Sequence, residues 1–296
     1  MTTARRLAYA ALIINTILWG LALPIVKPAL EYVSPIQFLY FRYILAAPLS
    51  LLLLPFFRLP RLSIAQVGKI ALLEFIGTPI LLAILYTGLS RTSGLEASLL
   101  GATSPLFTIL GGIWFLHERQ THREWQGFAL ALFGTLILAL EPLFLGNGLR
   151  FTSLTGNLLI LLQNVIWAGY LLVAKKLYRG LPKLFVTSFS YWLGLICFAG
   201  YLLATHSLPN FTLLASSQVL FPILYMAIFG SIIALALYLY GQDKIEASEA
   251  SVFTYLQGAV AIPASFLLLK EVTTSIGIIS ILLIALGVYR AELRKK

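Results

Sequence analysis

The sequence predicts an all-α integral membrane protein with ten transmembrane helices, arranged as two inverted five-helix repeats. Composition, the spacing of apolar runs and an internal repetition lead to this prediction. Hydrophobic residues make up 59% of the 296 residues and charged residues 11%, and the mean hydropathy is +0.92. A soluble domain of this size cannot bury so much apolar surface, so the chain is expected to reside in a lipid bilayer.

The apolar runs set the predicted number of spans. A helix needs about 20 residues to cross a hydrocarbon layer about 30 Å thick. Between charged or Pro/Gly-rich breaks there are ten such runs: 7–26, 35–57, 68–89, 95–116, 125–145, 155–177, 184–204, 219–240, 250–269 and 274–289. The first run follows Arg5 and Arg6, but it is long and no small-residue cleavage site precedes Lys27. We therefore expect it to be a span and not a signal peptide.

The sequence pattern of the first half of the chain recurs in the second half, which begins near residue 150. A shift of 153 positions (271 − 118) aligns Gly77 with Gly230, Gly88 with Gly241, Glu96-Ala97-Ser98 with Glu249-Ala250-Ser251, Glu118 with Glu271, and Gly134 with Gly287. A shift of 148 aligns Trp19 with Trp167 and Lys27 with Lys175. Residues 1–148 and 149–296 therefore form two repeats of one integrated membrane domain. Since each repeat has an odd number of spans, the second is expected to insert upside down.

The distribution of basic residues predicts the orientation. With the N-terminus inside, the inner loops and tails carry 16 of the 21 Lys and Arg residues and the outer loops carry four. The positive-inside rule then places both termini in the cytoplasm, in an inner or plasma membrane. Topology thus accounts for the formal charge of +10, and no nucleic-acid partner is expected.

Several motifs resemble those of a known family. They are Trp19-Gly20, Arg42, Ala97-Ser98, Pro105, His117-Glu118-Arg119, Gln126-Gly127 and Gly134. Together they resemble the drug/metabolite transporter superfamily, specifically its ten-helix EamA-type branch, over nearly the whole chain. The second half departs from the pattern, with Gln257-Gly258 in place of Ser104-Pro105 and Ile279-Ser280 in place of Gln126-Gly127. The resemblance implies export or exchange of small organic solutes, such as amino acids or other metabolites, through a cavity between the halves.

Glu74 is the foremost candidate for a functional side chain. It lies six residues into the third predicted span, about 9 Å deep at 1.5 Å per residue. A charge at the bilayer centre costs about 2.5 to 3.5 kcal/mol, so Glu74 is expected to face a wet cavity or to be protonated. Either condition suits proton coupling or recognition of a solute amine. The alternatives are a structural hydrogen bond and a side chain that extends to the inner surface. Thr78 lies one turn further on the same helix face.

Two matching helix faces predict an amphipathic binding cavity. Asn15 and Trp19 are four residues apart in the first span, and Gln163 and Trp167 occupy the corresponding positions in the sixth, with Tyr170 beyond them. Amide groups in hydrocarbon need partners, and an indole offers an apolar wall and one donor. The alternative is that the amides bind neighbouring helices and the aromatic rings lie at the membrane interface.

Further charged residues have open roles. Arg42, within the second span, is predicted either to bind a solute carboxylate or to pair with a buried acid. Glu118 and Glu271 end matched helices, where a carboxylate opposes the helix dipole, so they are candidates for a gate or a latch and alternatively ordinary helix-ending charges. For Lys27 and Lys175, extension to the lipid headgroups is the more ordinary expectation.

Other classes of protein are disfavoured by what the sequence lacks. The single Cys197 excludes an intramolecular disulfide, and three histidines give little basis for a metal site. A single aspartate, Asp243, cannot supply the clusters that hold magnesium diphosphate, and no Gly-rich nucleotide loop occurs. We therefore expect no cofactor, no metal and no enzymatic activity. The predicted partners are a small-molecule solute, the bilayer and, as a candidate coupling ion, the proton. A passive channel, a lipid-moving protein and a non-transporting subunit stay open as alternatives.

Overall fold

The computed structural model describes residues 3–56, 58, 60–101, 103–104, 106–107, 110–111, 122–140, 151–244, 247–271 and 273–292. Within those ranges the regular secondary structure is entirely helical. The α-helices are α1 Thr3–Val26, α2 Pro35–Ser50, α3 Ile64–Phe75, α4 Leu81–Arg91, α5 Gly94–Gly101, α6 His122–Leu140, α7 Phe151–Leu177, α8 Lys183–Ala204, α9 Ser217–Leu224, α10 Ala234–Lys244, α11 Ala247–Leu269 and α12 Ser275–Glu292. Short 3₁₀ segments cover Lys27–Glu31, Leu51–Phe56 and Phe211–Ala215.

Two π-helical segments interrupt otherwise continuous helices. Ile76–Ile80 joins α3 to α4, and Tyr225–Ile233 joins α9 to α10. Under the shift of 153, the first segment corresponds to residues 229–233, which lie inside the second. The same irregularity therefore occurs at matching places in both halves, and π-helical turns are frequent at functional sites.

Six helical stretches among the described residues are long and apolar enough to cross a membrane. They are Arg5–Glu31, Pro35–Phe56, Ile64–Arg91, Ser153–Ala174, Lys183–Ala204 and Ser217–Tyr238. Shorter apolar helices cover Trp125–Leu140, Leu256–Leu269 and Ser275–Gly287. The prediction of a multi-pass helical membrane protein is thereby confirmed. The predicted fourth span, 95–116, is described only in part, so the number ten stays a prediction.

Local sequence signals explain where two early helices begin. The hydroxyl of Ser34 accepts a hydrogen bond from the backbone N–H of Gln37 at the start of α2. At the start of α3, Ser63 and Gln66 form a reciprocal capping box. Both arrangements provide acceptors for N–H groups that have none within the helix.

The packing joins helices from opposite halves in matching pairs. Helix α1 packs on α10 and α11, and its counterpart α7 packs on α4 and α5. Helices α2 and α8 correspond to each other and pack together, as do α6 and α12. Each of these helix pairs therefore either has a counterpart or is its own counterpart when residues 1–148 and 149–296 are exchanged.

Two corresponding helix crossings depend on glycine. A Cβ atom at Gly88 would lie 2.9 Å from Ile160 Cγ1, and one at Gly241 would lie 2.5 Å from Leu12 Cγ. Gly88 corresponds to Gly241 under the shift of 153, and Leu12 corresponds to Ile160 under the shift of 148. The two crossings therefore join residues that the two sequence shifts pair with each other, and at both glycines an added Cβ atom would come too close to its neighbour.

The buried core lies where the two halves meet. Tyr43 of α2 and its counterpart Tyr191 of α8 are both buried, and their rings meet edge to face with centroids 5.6 Å apart. Phe198 also packs its ring edge against Tyr43, at 5.4 Å. Such aromatic pairs add specific geometry to apolar burial. This contact holds α2 and α8 beside the polar groups described next.

Candidate functional site

Glu74 lies at the end of α3, immediately before the first π-helical segment. Its side chain is 1% exposed. The carboxylate accepts hydrogen bonds from Tyr170 at 2.8 Å and from Tyr178 at 2.5 Å, and Thr78 donates a longer one at 3.4 Å. Both tyrosines belong to the second half. The acid is therefore held between the halves.

The π-helical segment makes room for this contact. Gly77 faces the ring of Tyr170 so closely that a Cβ atom there would lie 2.3 Å from Tyr170 Cε2. Pro79 lies in the same segment and has no backbone N–H to donate. A glycine and a proline within five residues thus disturb the regular helix where the tyrosine approaches.

Thr78 extends the site toward a third helix. Its hydroxyl lies 2.5 Å from the hydroxyl of Ser190 on α8, and because Thr78 donates its one proton to Glu74, Ser190 is the donor of this bond. Ser190 directly precedes Tyr191, which contacts Tyr43. We call Glu74, Thr78, Tyr170, Tyr178 and Ser190 the Glu74 cluster.

Arg42 forms a second buried cluster. Its side chain is 7% exposed. Nε and Nη2 donate to Ser231 Oγ at 3.1 and 2.9 Å, and Nη1 donates to Tyr86 Oη at 3.0 Å. Tyr191 donates to the carbonyl of Ser231 at 2.9 Å. We call Arg42, Tyr86, Tyr191 and Ser231 the Arg42 cluster.

The repeat relates the two clusters. Arg42 corresponds to Ser190 under the shift of 148, and Thr78 corresponds to Ser231 under the shift of 153. The contact between Arg42 and Ser231 is thus the counterpart of the contact between Ser190 and Thr78. Glu74, however, corresponds to Ala227. That position therefore carries an acid in the first half and an alanine in the second, and Arg42 belongs to the first half as Glu74 does.

The electrostatics of the two clusters are complementary. Among the described residues, the hydrogen-bond partners of Glu74 and of Arg42 are hydroxyl groups and not opposite charges. Burial, reinforced by the nearby Glu74, raises the pKa of Tyr178 well above its usual range, so its hydroxyl stays protonated and donates to the carboxylate. A buried carboxyl group and a buried guanidinium group thus lie near the surface where the two halves meet, and among the described residues each is bound by hydroxyl groups.

Asn15 and Trp19 bind the second half in another way. Asn15 Nδ2 donates to the carbonyl of Ala234 at 2.8 Å, and Trp19 Nε1 donates to the carbonyl of Gly230 at 3.0 Å. The Trp19 ring also packs on Tyr238, with centroids 5.2 Å apart. These contacts satisfy backbone carbonyls loosened by the second π-helical segment. These contacts agree with the alternative in which the side chains of this helix face bind a neighbouring helix. They do not bring Asn15 or Trp19 to the Glu74 cluster.

The matching face on α7 lies closer to the acid. Trp167 stacks on Tyr170 with ring centroids 5.2 Å apart and an interplanar angle of 19°. Gln163, one turn earlier, is buried. Trp167 therefore supports the tyrosine that binds Glu74, while the cavity role of Gln163 stays a prediction.

Glu271 has a clear structural partner. Its carboxylate accepts hydrogen bonds from the backbone N–H groups of Gly94 and Leu95, at 2.9 and 2.7 Å. The carboxylate thus lies at the positive N-terminal end of α5, which resolves the conflict with the dipole of its own helix. Its predicted counterpart Glu118 lies outside the described residues.

Sequence reasoning missed Tyr178, Ser190 and Ser231. The sequence did contain a signal for the two serines, because applying both shifts to Arg42 and Thr78 leads to Ser190 and Ser231. Tyr178 follows the last residue of α7, and no sequence pattern connects it with Glu74.

One cavity lies apart from these clusters. It has a volume of about 540 Å³ and lies between α11 and α12, with Ile262, Phe266 and Leu282 in its lining and Glu271 at its edge. None of the residues that line this cavity binds Glu74. Over the portion of the chain that is described, no three His, Cys, Asp or Glu side chains are grouped to hold a metal ion.

A helical bundle with several spans and buried charged groups between two similar halves is typical of a small-solute membrane transporter. The comparisons with known proteins agree. The chain belongs to the EamA-like transporter family, which matches residues 6–140 and 154–291. Membership of this family shows that the protein is a transporter and not an enzyme.

Individual relatives are distant but cover most of the chain. The "Uncharacterized transporter YdfC" of Bacillus subtilis (strain 168) is 27% identical, over 88% of this chain and 83% of its own length. A "Probable amino-acid metabolite efflux pump" of Salmonella typhimurium is 24% identical, over 97% of this chain and 94% of its own. A solved crystal structure superimposes with a TM-score of 0.65 at 18% identity, covering 99% of this chain and 96% of that one. This last likeness supports the fold alone.

Proposed function

We propose that the protein is a secondary transporter, an exporter or exchanger that moves small organic solutes by alternating access through a cavity between its halves. Amino acids or related metabolites are the favoured solutes. The observation that carries the proposal is the buried Glu74 carboxylate, held by Tyr170 and Tyr178 of the other half. The efflux pumps of Salmonella typhimurium and Escherichia coli, whose names refer to amino-acid metabolites, support the choice of solute.

Glu74 has the chemistry of a binding or coupling group. An ionised carboxylate inside a membrane is costly unless its charge is compensated. Hydroxyl groups stabilise it through hydrogen bonds but contribute no positive charge. The compensating charge can come from a solute ammonium group or from a proton. Glu74 is therefore proposed to bind the amine of the solute or to carry the coupled proton, with Thr78 as a further polar contact.

Arg42 has the complementary chemistry. Its guanidinium group has five N–H donors, and three of its hydrogen bonds are to Ser231 and Tyr86. The remaining N–H groups lie on the two terminal nitrogens, where a planar fork suits a carboxylate. We propose that Arg42 engages a solute carboxylate as the halves rearrange. Its alternative role is to stabilise the bundle through the three bonds that it already makes.

The matching contacts of the two halves support alternating access. The crossing of Gly88 with Ile160 and that of Gly241 with Leu12 join residues that the two sequence shifts pair with each other, as two repeats related by an in-plane axis require. With the basic residues placed inside, both termini face the cytoplasm in an inner or plasma membrane. One half rocking against the other would then expose the Glu74 cluster to each side in turn.

Two alternative functions use the same polar groups. A passive channel-like facilitator needs a continuous open path, and the close packing of Gly77 on Tyr170 weighs against one at this point. A lipid-moving protein needs a polar groove that faces the bilayer, whereas Glu74 is buried between the halves. The structure therefore favours a carrier over a passive facilitator and over a lipid-moving protein.

Counterflow in proteoliposomes tests the proposal. Vesicles loaded with an unlabelled amino acid or related metabolite are diluted into the same labelled solute, with and without an imposed pH gradient. A carrier concentrates the label transiently, saturates and responds to competitors. A rapid leak without saturation would indicate a channel, and the absence of flux for every solute would count against transport of this class.

Glu74→Gln separates the two roles of the acid. If Glu74 carries the proton, the variant should lose movement driven by the pH gradient and retain solute exchange. If it binds the amine, both should fall. Full retention of pH dependence and of exchange would remove Glu74 from the mechanism.

A further inference from the structure

A short turn joins α4 to α5 at the predicted outer end of the bundle. It consists of Thr92 and Ser93, between the last residue of α4 and the first residue of α5. Both helices belong to the first half. Three side chains from other parts of the chain bind this turn and the helix ends beside it. Lys27 belongs to the first half, whereas Asn157 and Glu271 belong to the second. We call Lys27, Glu271 and Asn157, with the groups that they bind, the outer clasp.

Glu271 holds the N-terminal end of α5. Its two carboxylate oxygens accept separate hydrogen bonds from Gly94 N–H and Leu95 N–H, at 2.9 and 2.7 Å. The first N–H groups of a helix lack acceptors within the helix and form its positive end. A carboxylate that binds two of them is a charged, bidentate contact. Glu271 follows α11 of the second half, so this contact fastens one half to the other.

Lys27 holds the C-terminal end of α4. Its ammonium group donates to the carbonyls of Leu89 and Ser90, at 2.9 and 3.3 Å. The last carbonyls form the negative end of that helix, where a cation is favourable. The expected extension of Lys27 to the lipid headgroups is therefore wrong in this structure. The acid and the base hold opposite sides of the same turn.

Asn157 of α7 completes the clasp. Its Oδ1 accepts a hydrogen bond from Thr92 Oγ1 at 2.6 Å, and its Nδ2 donates to the carbonyl of Ala139 at 3.1 Å. The space inside the clasp is filled as well, because a Cβ atom at Gly94 would lie 2.5 Å from Leu269 Cδ1. The turn cannot move away from α7 and α11 while these contacts persist.

The sequence repeats the charged pair. Lys27 corresponds to Lys175 under the shift of 148, and Glu271 corresponds to Glu118 under the shift of 153. The side chains of Lys175 and Glu118 lie outside the described residues. We propose that Lys27 and Glu271 form the latch of an outer gate, which is closed in this structure. This inference goes beyond the proposed transport and does not depend on the identity of the solute.

Accessibility of a single introduced cysteine tests the latch without any solute. The background is Cys197→Ser with Ser98→Cys, because Ser98 is buried one turn into α5 and its hydroxyl donates to the Gly94 carbonyl at 2.7 Å. The measurement is the rate of labelling by a membrane-impermeant maleimide, added from either side of oriented vesicles. Glu271→Gln replaces one acceptor oxygen by an NH₂ group, which cannot accept the second bond. It should raise labelling from the predicted outer side about tenfold, as expected for the loss of a charged hydrogen bond.

A second variant and a matched control make the result decisive. Lys27→Met should act in the same direction, and it decides the matter if Glu271→Gln fails to fold. Lys270→Gln alters an exposed charge next to Glu271 and should leave the rate unchanged.

Two results would overturn the proposal. The first is wild-type labelling in both folded Glu271→Gln and folded Lys27→Met. The second is equal acceleration from both sides, which would indicate local fraying and not the opening of one gate. A positive labelling result together with failed counterflow would leave the latch standing and remove the transport proposal.

Discussion

Gly77→Ala tests the contact that holds Glu74 between the halves. The added Cβ atom would lie 2.3 Å from Tyr170 Cε2, whereas carbon atoms in contact are about 3.5 to 4.0 Å apart. The ring must therefore retreat by more than about 1 Å, and its 2.8 Å hydrogen bond to Glu74 would stretch beyond the normal range. Loss of a hydrogen bond to a charged group costs about 1.5 to 3 kcal/mol, and overpacking costs about 1 to 3 kcal/mol.

The greater helix preference of alanine offsets about 1 kcal/mol of this loss. We therefore expect Gly77→Ala to lower the free energy of unfolding by about 1.5 to 5 kcal/mol. The assay is the temperature at which half of the detergent-purified protein survives heating, judged by size-exclusion chromatography. Gly68→Ala is the matched control, because Gly68 lies on α3 with no described heavy atom within 4 Å of its added Cβ. Equal melting temperatures for the two variants would refute the close contact.

Three further predictions concern the same meeting surface. Tyr178→Phe removes a hydroxyl donor from Glu74 and should lower the free energy of unfolding by about 1 to 2 kcal/mol. A double-mutant cycle with Glu74→Gln should show that the two substitutions are energetically coupled. Additive effects of the two substitutions would contradict the hydrogen bond. Arg42→Lys keeps the charge but loses the planar guanidinium group, so the rate of counterflow should fall. The rate for the neutral variant Arg42→Met should be no higher than that for Arg42→Lys. A wild-type rate for Arg42→Lys would show that the positive charge alone is sufficient. Gly241→Ala brings a Cβ atom within 2.5 Å of a leucine and should cost about 1 to 3 kcal/mol, whereas Gly200→Ala, in open space, should melt like the wild type.

The helical membrane class and the early spans could be predicted from the sequence. The predicted runs 7–26, 35–57 and 68–89 coincide closely with Arg5–Glu31, Pro35–Phe56 and Ile64–Arg91, because long apolar runs can satisfy their backbone in a bilayer only as helices. The π-helical segments could not be predicted. They depend on which side chain approaches Gly77 from another helix, and that is a property of the packing.

The candidate site was predictable only in part. Glu74 and Thr78 stand out because they are polar groups within an apolar run, and Tyr170 belongs to a matching polar face. Tyr178 does not stand out, since its contact with Glu74 depends on how the two halves are placed against each other. Lys27 illustrates the same limit, because its partners are backbone carbonyls of α4 and leave no mark in the sequence.

Counterflow of amino acids by the wild type and by Glu74→Gln, in proteoliposomes of equal protein content, tests the central claim most directly. We expect saturable counterflow by the wild type, and in the variant a loss either of the response to a pH gradient alone or of all exchange. Thr212→Val, at an exposed position with local hydrogen bonds to Asn210, serves as the control and should transport normally. Saturable counterflow of unchanged rate and unchanged pH response in folded Glu74→Gln would contradict the account.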